Sequence, residues 1–270
     1  MSRSKVKNLL LLKQIHSAVS YIKKGKLDKA LETLDKAEKS ARKEKSNDTL
    51  YYILFTRGGI LFTASKYDAA LETYEKALEV GTELLKADPE NPDYLHYMGT
   101  TLSNTGNLLR EKGENDRAAG YYIRAREIYS NLVARNPENA VFRSYAADNL
   151  NNYAAFLTRT GSLERACEIF GELIEIYEKL LEEKPENVGY QAELSIALSQ
   201  LGSCLIQQTQ ENKDKDKDKN IDEKIDENIV TAKRNLERAL ALQESLLTQQ
   251  PDNEKIKEAI SLTRKRLENI

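Results

Sequence analysis

Apolar residues along this chain fall three and four positions apart rather than two. Leu102, Gly106 and Leu109 form one such group, and Ala118, Tyr122 and Ala125 form another. Side chains spaced in this way share one face of an α-helix, whereas a half-buried strand alternates at every second residue. The groups then recur 48 residues further on. Leucine returns at Leu54, Leu102, Leu150 and Leu198, and again at Leu61, Leu109, Leu157 and Leu205, with Gly58, Gly106, Ala154 and Gly202 between them. A second set follows in each copy: Ala70, Ala118 and Ala166, the aromatics Tyr74, Tyr122 and Phe170, then Ala77, Ala125 and Leu173. Ala18, Tyr21, Ala30, Leu34 and Ala37 fit a first copy, and Ala232, Leu236 and Ala239 fit a fifth that is displaced by 18 residues. Turn-forming Gly25, Gly113 and Gly161 separate the two sets. The predicted unit is a pair of antiparallel helices with a short turn between them.

A second punctuation mark closes each unit. Pro89-Glu90-Asn91 recurs as Pro137-Glu138-Asn139 and Pro185-Glu186-Asn187, with Pro251-Asp252-Asn253 as a variant. Proline lacks an amide donor and forces its predecessor out of helical geometry, so helices are predicted to end at Asp88, Asn136 and Lys184. The asparagine is a favoured N-cap for the next helix, and Pro92 suits a first helical position. These marks divide the chain into repeats at 5–45, 46–88, 91–136, 139–184 and 187–250 of a single domain, followed by a closing helix at 253–269. In that last segment Ile256, Ala259, Ile260 and Leu267 make one apolar stripe and the remaining face is charged. The displaced fifth unit carries its extra residues near 209–226, including KDKDKDKN at Lys213–Asn220. A run without apolar residues builds no core, and a mobile solvated loop is expected there.

The order Leu–Gly–Leu, then Ala–aromatic–Ala, then Pro resembles the tetratricopeptide repeat, a helix–turn–helix of about 34 residues. That resemblance implies an all-α fold: a right-handed α-solenoid of about five such repeats with a C-terminal capping helix. Each middle unit is about 14 residues longer than the family pattern, with seven extra between Ala125 and Pro137 and seven between Pro89 and Leu102. Seven residues make about two turns, so each helix gains roughly 10 Å while its apolar stripe keeps its face. The chain is similar to a long-helix variant of the family.

Composition narrows the chemistry. With 40% hydrophobic residues the chain has enough apolar material for a packed core, and a formal charge of −2 with no basic stripe argues against nucleic acid as a partner. The two cysteines, Cys167 and Cys204, give neither a disulfide framework nor a metal spacing, and both are expected as buried free thiols. Leu9–Leu12 is too short for a signal-peptide core and no stretch approaches a membrane span, so a cytoplasmic protein is expected. His16 and His96 stand in different repeats without a metal pattern, and His16 reads as a packing or boundary residue. Gly58-Gly59 falls inside a helix rather than in a phosphate-binding loop. No catalytic residue, cofactor or metal is expected.

Function then rests on surface. The resemblance implies that the first helices of successive units line a concave groove for an extended peptide or a partner helix. On this chain that wall carries Tyr52, Phe55 and Phe62, then His96, Thr100, Ser103, Asn107 and Arg110. It continues with Asp148, Asn151, Ala155 and Thr158, and with Ile196, Ser199 and Ser203, while Asn104 and Asn152 flank it. The candidate partner-binding residues are Tyr52, Phe55, Ser103, Asn104, Asn107, Arg110, Asn151, Asn152 and Ser199. Their amides and hydroxyls suit peptide backbone, and Tyr52 and Phe55 suit an apolar anchor unless the first hairpin covers them. Family members that hold acidic chaperone tails carry a Lys, Asn, Asn, Lys, Arg clamp. Here those positions read Ser103, Asn107, Asn152, Ile196 and Gln200, so every cation is missing and that partner is disfavoured. The expected function is a non-enzymatic interaction scaffold or adaptor. An RNA-binding helical repeat and a self-associating structural module are the alternatives, though Asp148 interrupts the cationic wall that RNA needs.

Overall fold

In the computed structural model residues 3–215 and 219–270 are described, with side chains from 13 to 212 and from 225 onward. Among the described residues every regular element is helical. The order is α1 (Arg3–Lys23), α2 (Leu27–Glu44), α3 (Asn47–Thr63), α4 (Tyr67–Ala87), α5 (Pro92–Glu111) and α6 (Asn115–Arg135). Then come α7 (Ala140–Arg159), α8 (Leu163–Glu183), α9 (Val188–Lys215), α10 (Lys219–Gln249) and α11 (Glu254–Glu268). None of these helices is long and apolar enough to cross a membrane. Contacts gather the chain into two compact units, Met1–Arg135 and Asn136–Ile270. In the first, α1, α3 and α5 stack on one another and α2, α4 and α6 pack beside them; in the second, each helix from α7 to α11 packs on the next.

Two kinds of turn set this order. Within a hairpin the chain leaves the helix through one left-handed residue, Gly25, Gly113 or Gly161, at φ 69°, 78° and 76°. Each turn closes the same way: Glu114 N–H donates to Leu109 O and Gly113 N–H to Arg110 O, which satisfies carbonyls the helix leaves open. The second hairpin uses Ser65 instead, at φ 56°, where a side chain is strained. Between hairpins the asparagine caps are in place. Asn91 accepts from the amides of Asp93 and Tyr94, Asn139 from Val141 and Phe142, and Asn187 from Tyr190. Only the first hairpin lacks that phrase, and left-handed Lys45 makes its turn to α3.

Small residues in one helix of a hairpin receive large side chains from the other. A methyl group added to Gly58 would stand 2.5 Å from the ring of Tyr74, one on Gly106 3.1 Å from Tyr122, and one on Gly202 2.7 Å from Leu236. All three large residues are fully buried. A second seat shows that volume, not side, is what must match. Gly81 of α4 receives Tyr51 of α3, whereas 48 residues later Gly99 of α5 receives Tyr129 of α6. The glycine and the tyrosine have exchanged helices and the gap is still filled.

The fifth hairpin departs from the expectation for its charged run. Lys213–Lys215 end α9 and Lys219–Asn220 begin α10, so these residues are helical rather than loop; 216–218 lie outside the described residues. Helix α9 has 28 residues where α7 has 20, and α10 has 31 where α8 has 21, so the 18 extra residues lengthen both helices. Lack of apolar residues forbids a core but not a helix. After α10, α11 keeps the register of a hairpin's first helix: buried Ile260 and Thr263 stand where α5 has Met98 and Thr101. Where α5 has buried Leu102 and Gly106, however, α11 has exposed Arg264 and Glu268. Arg264 pairs with Glu244 of α10 at 2.7 Å, and the face that would seat a further helix is solvated.

Placing a methyl group in the Tyr74 seat with Gly58→Ala is expected to lower unfolding stability by about 1–2 kcal/mol, because the ring is held on all sides. Gly120→Ala in α6, where an added methyl meets nothing within 4 Å, is expected to gain up to about 1 kcal/mol. Urea unfolding of the two variants measures the contrast, and equal effects would contradict the seat. Ser65→Gly, which relieves a left-handed non-glycine, is expected to raise the midpoint as well.

Candidate functional site

The nine predicted site residues fall into both units. Six lie in the first. Tyr52 and Phe55 project from α3 and pack half-buried against the core of that unit, so they are neither open anchors nor fully covered. The Tyr52 ring stands 6.2 Å from Tyr97 of α5, and Phe55 stands 6.4 Å from Tyr74 of α4. On α5, Asn104 lies near the Tyr74 hydroxyl, and Asn107 Oδ1 accepts the Tyr122 hydroxyl at 2.6 Å. That bond fixes the amide of Asn107 so that its two N–H donors face away from Tyr122. Arg110 bonds to neighbouring Glu111 at 2.8 Å. Ser103 is buried and its hydroxyl has no hydrogen-bond partner among the described residues.

Above these residues on α5 lies an aromatic ledge that the sequence pattern does not single out. Tyr51 stacks on Tyr97 at 5.8 Å, and its hydroxyl donates to the Tyr97 carbonyl at 2.6 Å and meets the Thr101 hydroxyl. His96 packs between Tyr97 and Tyr129, with Tyr129 Oη 3.3 Å from His96 Nδ1. Burial pushes the imidazole below the ordinary histidine range, and the charge of Asp93 opposes that shift only in part. His16, in contrast, is exposed on α1 rather than packed.

The second unit holds Asn151, Asn152 and Ser199. Asn151 is half-buried on α7, and Asn152 donates to the Asp148 carbonyl one turn earlier at 3.0 Å. Ser199 is already engaged: its hydroxyl accepts from Arg266 of α11 at 2.7 Å and meets Thr263 at 3.3 Å. The closing helix thus covers this position. Close to Asp148 stands Glu193 of α9, which the sequence reading passes over although it lies one turn before Ile196 on the same face. Partial desolvation raises both carboxyls above the usual carboxylate range although both residues are exposed, and the charge of Asp148 raises Glu193 further. Neither has an ion-pair partner among the described residues. Ile196 beside them is 43% exposed, which is unusual for an isoleucine flanked by a buried core.

No group of three or more metal-ligating side chains occurs among the described residues. Cys204 is buried as expected, but Cys167 is only half-buried, since it sits at the edge of the α8 stripe.

Two segments match tetratricopeptide repeat models: residues 101–132, which span α5 and α6, and residues 147–186, which span α7 and α8. Solved structures resemble the chain along most of its length. BtubC (BKLC) from P. vanneervenii has a TM-score of 0.68 at 19% identity, covering 90% of this chain and 84% of its own. A putative kinesin light chain of nearly identical TPR-like repeats from Podosopora anserina has a TM-score of 0.60 at 18% identity, covering 91% and 98%. The apo form of RapI has a TM-score of 0.53 at 14% identity, covering 96% and 85%. At these identities the likeness is one of fold, that of a tetratricopeptide-like α-solenoid. No curated protein matches the sequence.

The shifted groups give opposite pH signatures. Neutral His96 contributes stability above about pH 6.5 that is lost as pH falls through its lowered folded value. His96→Gln is expected to flatten the loss between pH 7 and 5. Glu193 has a raised folded value, so its contribution is present below the usual carboxylate range and is lost as pH rises through that value. Glu193→Gln is expected to raise the thermal midpoint at pH 7 and to match the parent near pH 3. Midpoints recorded across that range decide both signs.

Proposed function

Because this chain carries tetratricopeptide repeats, we propose that it is a non-catalytic interaction scaffold that binds a peptide or helix of a protein partner on the walls formed by its first helices. The observation that carries this reading is the unspent polar capacity of those walls. In the first unit, Asn107 keeps its amide donors free on the helix that also carries Tyr97 of the aromatic ledge. In the second, Asp148 and Glu193 face each other without a cation next to exposed Ile196. Two exposed carboxylates that repel each other make a negative patch on that wall. A partner segment bearing a lysine or arginine and an adjacent apolar side chain relieves the repulsion and covers Ile196. Peptide backbone carbonyls suit the donors of Asn107 and Asn151. The same acidic pair repels phosphate, which weighs against RNA.

Capture of partners by the full chain, followed by identification of the retained proteins by mass spectrometry, tests the reading. Asp148→Asn with Glu193→Gln in the second unit, and separately Tyr52→Ala with Asn107→Ala in the first, are each expected to weaken a retained partner about tenfold or more, a loss of about 1.4 kcal/mol. Circular dichroism checks that the helices remain. Undiminished binding by both double variants, or catalytic turnover by the purified chain, would overturn the proposal.

A further inference from the structure

The chain has two cysteines, 37 residues apart in sequence and on different hairpins. Cys167 lies one turn into α8 and Cys204 lies in the middle of α9, and these two helices pack directly on each other. Cys204 Sγ is 3.4 Å from the carbonyl oxygen of Leu163, the first residue of α8. In a helix that carbonyl belongs to the turn on which the side chain of Cys167 leans, since side chains tilt toward the N-terminus. The Cys204 sulfur thus sits over the turn of α8 on which Cys167 leans, near enough for each thiol to affect the other's ionisation. The Thr158 hydroxyl of α7 also reaches Cys204. Three helices of the second unit converge on this dithiol, and both thiols are free.

The two sulfurs are not equivalent. Cys204 is 1% exposed, whereas Cys167 is half-buried and open to a small reagent. That difference in access suits a pair in which Cys167 meets an oxidant and Cys204 resolves the product.

We propose that Cys167 and Cys204 are an oxidation site at which hydrogen peroxide converts the dithiol to an intrachain disulfide joining α8 to α9. The Cys167 sulfur attacks one peroxide oxygen, the O–O bond breaks, and the departing hydroxide takes the thiol proton and leaves as water. The Cys204 thiolate then attacks the sulfenic sulfur of Cys167. The S–S bond forms, the S–O bond breaks, and the second hydroxide leaves as water with the proton of Cys204. Two thiols and one peroxide give one disulfide and two waters. The bond links the fourth hairpin to the fifth across the Pro185-Glu186-Asn187 joint and is open to reversal by a dithiol reductant.

The test uses the purified full chain, reduced, freed of reductant and treated with a small molar excess of hydrogen peroxide. Expected are loss of both titratable thiols together, a fall in intact mass of about 2 Da, and a tryptic peptide pair joining Cys167 to Cys204. The thermal midpoint is expected to rise by about 5 °C, and dithiothreitol to reverse every change. Cys167→Ser and Cys204→Ser should each abolish the mass loss; if a variant unfolds, the peptide map of the parent chain decides alone. Two thiols still titratable after treatment, sulfinic acid on Cys167 with Cys204 still reduced, or a disulfide joining two chains would each overturn the proposal.

Discussion

The molecule depends on filling the gap between two antiparallel helices with one large side chain from one of them and a space left by the other. Tyr74 over Gly58, Tyr122 near Gly106 and Leu236 over Gly202 are three instances within hairpins. Close packing leaves no room for a second large group and no tolerance for an empty seat. The Tyr51–Gly81 and Gly99–Tyr129 seats show the constraint most plainly, because the tyrosine changes helices between consecutive copies and the seat stays filled, with Met98 sharing the one at Gly81. Once each hairpin is fixed in this way, its remaining apolar edge needs a neighbour, and stacking supplies one.

The same tyrosines connect the core to the candidate binding walls. Their rings fill the seats, and their hydroxyls emerge at the first helices, where Tyr122 bonds to Asn107 and Tyr74 lies near Asn104. A residue that packs the core thereby orients an amide on the surface. That coupling explains why the predicted asparagines are not simply free groups waiting for a ligand: one side of each is already spent on the fold, and only the other remains for recognition. Ser199 goes further, since Arg266 of the closing helix occupies it wholly.

Much of the hairpin design was legible because it repeats. Three-and-four spacing marks each helix, a glycine marks each inner turn, and proline followed by asparagine marks each outer one; all are local rules with local causes. In the charged run at Lys213–Asn220 the absence of apolar residues excludes burial but not helix, and its described ends, Lys213–Lys215 and Lys219–Asn220, are helical. The raised pair Asp148 and Glu193 was invisible for a different reason. The two are 45 residues apart, and their repulsion exists only once α7 and α9 share a wall. Cys167 and Cys204 escaped in the same way, since neither their number nor their spacing signals a contact made by packing.

Outside the charged run, the sequence by itself determined which residues form helices, where proline, asparagine and glycine start or stop them, and which face of each is apolar, because these follow from backbone geometry and spacing within a few turns. Tertiary structure decided which polar groups remain unspent, which carboxylates press on one another and which thiols meet. Those outcomes depend on distances between segments far apart in the chain, and such distances are set only when side chains from different helices compete for the same space.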